Sequence, residues 1–154
     1  MTGGEDTVAR EILASARSLL DRASAETSGL WPRAAVLLQR QSLEVALETY
    51  WSAVAPGVEE CSTRAQFLCL GTYLRASSGS QAEDVARRAH QAWAALSRAA
   101  HFHPYDLPPT REELLAWDEV VSEVIEETEM GWRSMASPYF APVFFLLLPS
   151  LYGH

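Results

Sequence analysis

W-A-A-L-S-R-A-A-H-F-H-P-Y-D-L-P-P, Trp93 to Pro109, joins the end of a strongly patterned helix to a rigid, proline-rich turn. Leading into it and through it, Ala82, Ala86, Ala89, Trp93, Leu96 and Ala100 recur at alternating steps of four and three, which keeps them on one stripe of an α-helix. That stripe is the core face. Arg98 follows Leu96 by two residues, about 200° round a helix of about 3.6 residues per turn, so it projects away from the core. His101 lies three residues further, on the face of Arg98. Pro104 disfavours the αR conformation for His103, so the helix is expected to end near Phe102 with His103 on its exit. A single His at a helix C-terminus needs only the macrodipole to explain it. Arg98, His101, His103, Tyr105 and Asp106 in one short span are more than capping requires.

Outward from this stretch, the chain reads as an antiparallel bundle of about five helices. Val8, Ile12, Leu13, Ala16, Leu19, Leu20 and Ala23 mark a first amphipathic helix over about 6–25. Pro32 suits the first turn of a second, over 31–54, where its missing N–H costs nothing. The apolar positions Leu37, Leu43, Leu47, Tyr50, Trp51 and Val54, broadened by Val36, Leu38 and Val45, make that helix central and buried on much of its circumference. Ala55-Pro56-Gly57 breaks it. A third helix is expected over 62–75 with Ala65, Leu68, Cys69, Leu70 and Leu74 inward. Ser80 with Glu83 reads as a capping box opening the fourth, over 80–102, whose Arg87, Arg88 and His90 read as a solvated face. Thr110 with Glu113 is a second box, opening a fifth helix over 110–130 with Leu114, Trp117, Val121, Val124 and Ile125 inward. Its many acids, Glu112, Glu113, Asp118, Glu119, Glu123, Glu126, Glu127 and Glu129, read as a solvated face; ferritin-like metal sites need a Glu-x-x-His, which the chain lacks. The bundle is assigned to residues 1–136. An apolar tail, 137–154, follows; Pro138, Pro142 and Pro149 exclude a long helix in it, and it must pack on the bundle or on a dimer partner.

Composition bounds the rest. A chain of 154 residues holds one real core. Nothing at the N-terminus resembles a signal peptide, no apolar run is long enough to span a membrane, and Cys61 and Cys69 read as reduced thiols, so a cytoplasmic protein without membrane attachment is expected. The net charge of -8 argues against a polyanionic partner, yet residues 1–101 hold 10 Arg against 11 acids, whereas 106–133 hold 2 against 9, so one segment carries most of the excess. No phosphate-binding glycine loop, G-x-S-x-G or C-x-x-C occurs.

L-S-R-A-A-H-F-H-P-Y-D-L-P-P-T, following a W-x-x-L helix, resembles the signature of HEPN domains, small helical bundles marked by an Arg followed after four to six residues by a His. Arg98 and His103, with four residues between them, fit that spacing, and R-Q-S-L-E-V-A-L-E-T-Y-W, Arg40 to Trp51, resembles the second helix of such proteins. The resemblance implies a metal-independent endoribonuclease acting as a homodimer, of the kind found as toxins of toxin–antitoxin and phage-defence systems. A cognate antitoxin, such as a nucleotidyltransferase-like protein, would then be a partner. Arg98 and His103 would be catalytic, with His101 and Tyr105 binding RNA. A His can exchange protons near neutrality, so His103 would deprotonate a ribose 2'-hydroxyl for attack on the adjacent phosphate, while Arg98 would bind that phosphate and the charge developing on it. Neither metal nor cofactor is expected. His101, His103 and Asp106 as metal ligands would lack further donors. The alternative is a non-catalytic helical dimer binding a nucleotide or a protein partner. Ala99 favours it, standing where active members commonly carry a polar residue, and so does the acidic fifth helix. An active nuclease is expected to gather further arginines such as Arg33, Arg40 or Arg75 beside Arg98.

Overall fold

Five α-helices, and among the described residues no strand, make up the computed structural model, which describes residues 7–22, 30–101 and 107–135. They are α1 (Val8–Asp21), α2 (Trp31–Val54), α3 (Thr63–Ser78), α4 (Ser80–Ala100) and α5 (Arg111–Met135), with a 3-10 turn at Val58–Glu60 between α2 and α3. This is the all-α bundle that the periodicities call for. No described helix is long and apolar enough to cross a membrane. The tail 137–154, His103 and Tyr105 lie outside the described residues.

The starts and stops follow local chemistry. Pro32 sits in the first turn of α2. Gly57, at φ 102°, supplies the left-handed turn after it, which a side chain would strain. Ser62 caps α3 by accepting from the Ala65 N–H at 3.3 Å. The capping box of α5 forms in both directions: the Glu113 N–H donates to Thr110 Oγ1 at 3.2 Å, and the Thr110 N–H donates to Glu113 Oε2 at 2.8 Å.

Several expectations are corrected. Ser80 is inside α4 and not its cap; Gly79, at φ 89°, turns the chain directly from α3 into α4, and Glu83 pairs with Arg75 at 3.4 Å instead of closing a box. The inward face of α3 is Phe67, Leu70 and Leu74, while Leu68 is 65% exposed and Cys69 is exposed. Both thiols are free. On α2, Leu37 is 47% exposed, its place in the core taken by Ala35, Val36 and Gln39. His90 is half-buried, its ring stacked on Phe67 with centroids 5.7 Å apart. Helix α5 runs through Gly131 to Met135 because its buried side continues past Ile125 to Thr128, Glu129 and Gly131, with Trp132 packed on the core.

Around α2 pack α1, α4 and α5. Tyr50, Trp51, Leu43, Leu47 and Val36 of α2 are wholly buried, and Trp51 meets Tyr50 and Tyr73 edge-on, each pair of centroids 5.0 Å apart. Burial, helped by Tyr73, pushes the Tyr50 hydroxyl up to about 12. Two polar residues on α2 are also fully buried, and each serves a neighbouring backbone: Ser42 Oγ donates to the Ala9 carbonyl at 2.7 Å, and Gln39 Nε2 to the Leu114 carbonyl at 2.9 Å.

The acids of α5 are not all solvated. Along the antiparallel α1–α5 seam, Arg10 donates to both Glu129 oxygens, Nε at 2.9 and 3.1 Å and Nη2 at 2.8 Å; Thr7 Oγ1 adds a bond at 2.7 Å. Two turns along α1, Arg17 Nε donates to Asp118 Oδ2 at 2.7 Å. At the seam's far end, Arg111 Nε reaches the Leu20 carbonyl at 3.4 Å. Glu123 is paired with Arg88 of α4. A charge leaving water must be paired, and sequence distances of 119 and 101 residues hide these partners.

The two buried carboxylates carry opposite pH signatures. Burial raises Glu129, but the bonds from Arg10 and Thr7 outweigh it and hold the carboxyl below its ordinary 4.5, so its stabilisation is present above that value and is lost as pH falls through the folded one. Burial raises Asp118 above its ordinary 3.8 by more than Arg17 lowers it, so its contribution to stability declines as pH rises from that value through the folded one. In urea titrations at pH 7, Glu129→Gln is expected to cost about 1–3 kcal/mol, the loss shrinking below pH 4.5. Asp118→Asn, which keeps an acceptor for Arg17, is expected within about 1 kcal/mol of wild type. Equal losses at pH 7 would contradict this assignment.

Candidate functional site

The end of α4 is held by its core stripe. Ala82, Ala86, Ala89 and Leu96 are buried as the spacing requires, joined by Val85 and Ala92, while Trp93 and Ala100 pack on the core from its edge. Trp93 Nε1 donates to Glu44 Oε1 of α2 at 3.0 Å, and the same oxygen accepts from Arg40 Nε at 2.8 Å. Trp93 also lies against Phe67 of α3, ring centroids 5.8 Å apart. The last turns of α4 are therefore tied to α2 and α3 by one indole.

Arg98 stands on the opposite side. It is exposed in the last turn of α4, where a cation interacts favourably with the helix C-terminus, and it has no ion-pair partner among the described residues. His101 is the C-cap, also exposed, its N–H bonded to the Ser97 and Arg98 carbonyls at 3.3 and 3.2 Å. Both side chains thus leave the bundle at one helix end, as the spacing implies. His103 and Tyr105 fall outside the described residues, so the geometry joins only two of the four predicted site residues.

Two features bear on charge at this end. Arg40 is engaged with Glu44, and Arg75 with Glu83. Glu83 is in the first turn of α4, fifteen residues before Arg98, or about 22 Å along an axis rising about 1.5 Å per residue. Arg75 therefore belongs to the far end of the helix and does not gather beside Arg98, while Arg40 is paired with the Glu44 oxygen that Trp93 also bonds. Ala99 is half-buried and packs against the core, which gives its small apolar side chain a structural reason. Among the described residues no cluster of three or more His, Cys, Asp or Glu gathers to hold a metal.

A groove of about 490 Å³ runs between α3 and α4, lined by Phe67, Leu68, Gly71, Glu83, Arg87 and His90 among others. Its rim charges are already matched, Glu83 to Arg75 and Asp84 to Arg87 and Arg88. Sequence reasoning gave no hint of this groove, because it depends on which face α3 turns inward. The Glu44 contact to Trp93 was equally hidden; a long-range indole bond leaves no local signature.

Comparison with protein-family models, curated proteins and solved structures finds no match for this chain.

Because Arg98 is exposed and unpaired among the described residues, Arg98→Ala is expected to change unfolding free energy by no more than about 0.5 kcal/mol. Leu96→Ala, two residues away and fully buried, is expected to cost about 2–5 kcal/mol. Urea titration of both variants checks the contrast, and equal losses would place Arg98 in the core.

Proposed function

We propose that the chain is a metal-independent endoribonuclease of HEPN type, with Arg98 and His103 as the reacting pair. The observation that carries the reading is Arg98, exposed at the C-terminal end of α4 and without an ion-pair partner among the described residues, with His101 beside it. A guanidinium that stabilises its own fold would be matched by a carboxylate, as Arg10, Arg17, Arg40 and Arg88 are. Among the described residues no carboxylate pairs with Arg98, and an anion from outside could meet it. In the proposed reaction, His103 takes the proton of a ribose 2'-hydroxyl, the oxygen attacks the adjacent phosphorus, and the 5'-oxygen of the next nucleotide leaves as the P–O bond breaks, taking a proton from water, to which His103 returns the one it took. Arg98 holds the non-bridging oxygens while their charge grows, and His101 and Tyr105 contact the substrate. The products are a 2',3'-cyclic phosphate and a free 5'-hydroxyl.

The site would be completed by a second copy of the chain. Arg98 projects from the outward side of α4 in its last turn, so a two-fold passing close to that helix end would bring the Arg98 residues of two copies together. A second reading, the non-catalytic binding module, is favoured by one observation: Arg40 and Arg75 are spent on Glu44 and Glu83. Under that reading Arg98 and His101 would hold an anionic ligand or an acidic partner, and a cognate antitoxin would be of that chemistry.

Purified wild type is expected to leave 2',3'-cyclic phosphate ends on total RNA, and Arg98→Ala to abolish them with helical content unchanged. Ala94→Glu, which puts a charge one helical turn from Arg98 on the outward side of α4, is expected to give a monomer by light scattering and to lose cleavage as well. Cleavage that survives Arg98→Ala, or a fully active Ala94→Glu monomer, would overturn the reading. Binding of RNA without cleavage would favour the second one.

A further inference from the structure

We infer that Glu44 is a positioning residue for the Arg98 site, an inference that rests on the nuclease reading for its function and on geometry alone for its mechanical part. Glu44 lies in the middle of α2, its side chain about 35% exposed, and one oxygen accepts both from Trp93 of α4 and from Arg40 of its own helix. A partly buried carboxylate costs desolvation that the pair with Arg40 offsets, since Arg40 is itself only 30% exposed. Arg40 thus keeps the Glu44 oxygen aimed, and Glu44 fixes the indole. The result is a relay from α2 into α4, bridging 49 residues of chain, that ends five residues before Arg98.

The place of the relay gives it consequence. Beyond Trp93, Leu96 is the last fully buried residue of α4; Ser97, Ala99 and Ala100 are only half-buried, and Arg98 and His101 are exposed. Beyond Leu96 only the small side chains of Ala99 and Ala100 pack the final turn against the core. Trp93, held at its indole N–H by Glu44 and at its ring by Phe67, sets the tilt of that turn and hence the point from which Arg98 and His101 project. A guanidinium that must meet developing charge tolerates little error, since a displacement of about 1 Å costs rates on the order of a hundredfold. The sequence motif supplies the chemistry, and the relay supplies its aim.

The test compares wild type, Glu44→Gln and Glu44→Ala as full chains. Gln keeps an oxygen acceptor for Trp93 and Ala does not. On total RNA, read by cyclic phosphate ends, Glu44→Ala is expected to lower kcat by about tenfold to a hundredfold with KM changed less than about threefold, and Glu44→Gln to restore most of the rate. In parallel, amide hydrogen exchange at residues 97–101 is expected to speed up in Glu44→Ala and not in Glu44→Gln, and the Trp93 indole N–H resonance to shift in the alanine variant alone. Wild-type rates in Glu44→Ala, or equal loss in both variants, would overturn the inference. If wild type cleaves nothing, the nuclease reading fails by itself. The exchange data then decide the relay: faster exchange in Glu44→Ala supports it, and unchanged exchange overturns it.

Discussion

Burying α2 from nearly every side is the constraint on which this bundle depends. A helix enclosed by α1, α4 and α5 carries polar side chains into the interior, where Gln39 Nε2 and Ser42 Oγ bond the carbonyls of Leu114 and Ala9. Those two bonds also set register: one locates α1 along α2, the other locates the first turn of α5. Glu44, on the same helix, locates α4 through Trp93. Three neighbours thus take their longitudinal positions from three polar residues of one helix, while the apolar packing around Tyr50 and Trp51 supplies most of the stabilisation. Apolar contact tolerates sliding by a turn; a buried amide bonded to one carbonyl does not.

How much of this could be read beforehand depends on the kind of information each element carries. The span 31–54 and the core stripe of α4 were legible for two reasons: Pro32 and Ala55-Pro56-Gly57 bracket the first, and small residues at steps of three and four mark the second. The box at Thr110 and Glu113 was legible for the same reason. Helix α3 was not, since T-R-A-Q-F-L-C-L-G-T-Y-L carries apolar residues on two adjacent faces, and only packing against His90 and Trp93 selects Phe67 over Leu68. Ser80 misled because Gly79 already turns the chain, which leaves Ser80 within the helix. The paired acids of α5 were invisible in principle; an Arg on α1 more than 100 residues away has no signature near Asp118 or Glu129.

At the candidate site the division falls in the same place. Exposure of Arg98 and His101 at one helix end follows from angular arithmetic along a single helix, which a sequence contains. Whether other arginines assemble round Arg98 depends on which helices are neighbours and on what those arginines already bind, which it does not contain. Arg40 and Arg75 were reasonable candidates by composition, and carboxylates one helical turn away or across the α3–α4 turn claim them. Charge neutralisation within the bundle thus leaves Arg98 without a carboxylate partner among the described residues at its end of α4.

The measurement that bears most directly on the central claim is cleavage of total RNA by purified wild type and by His103→Ala, both with EDTA in excess. The account predicts cyclic phosphate ends from wild type, undiminished by the chelator, and none from His103→Ala at equal concentration and unchanged helical content. Equal cleavage by the two proteins, or activity that disappears when EDTA is added, would contradict it.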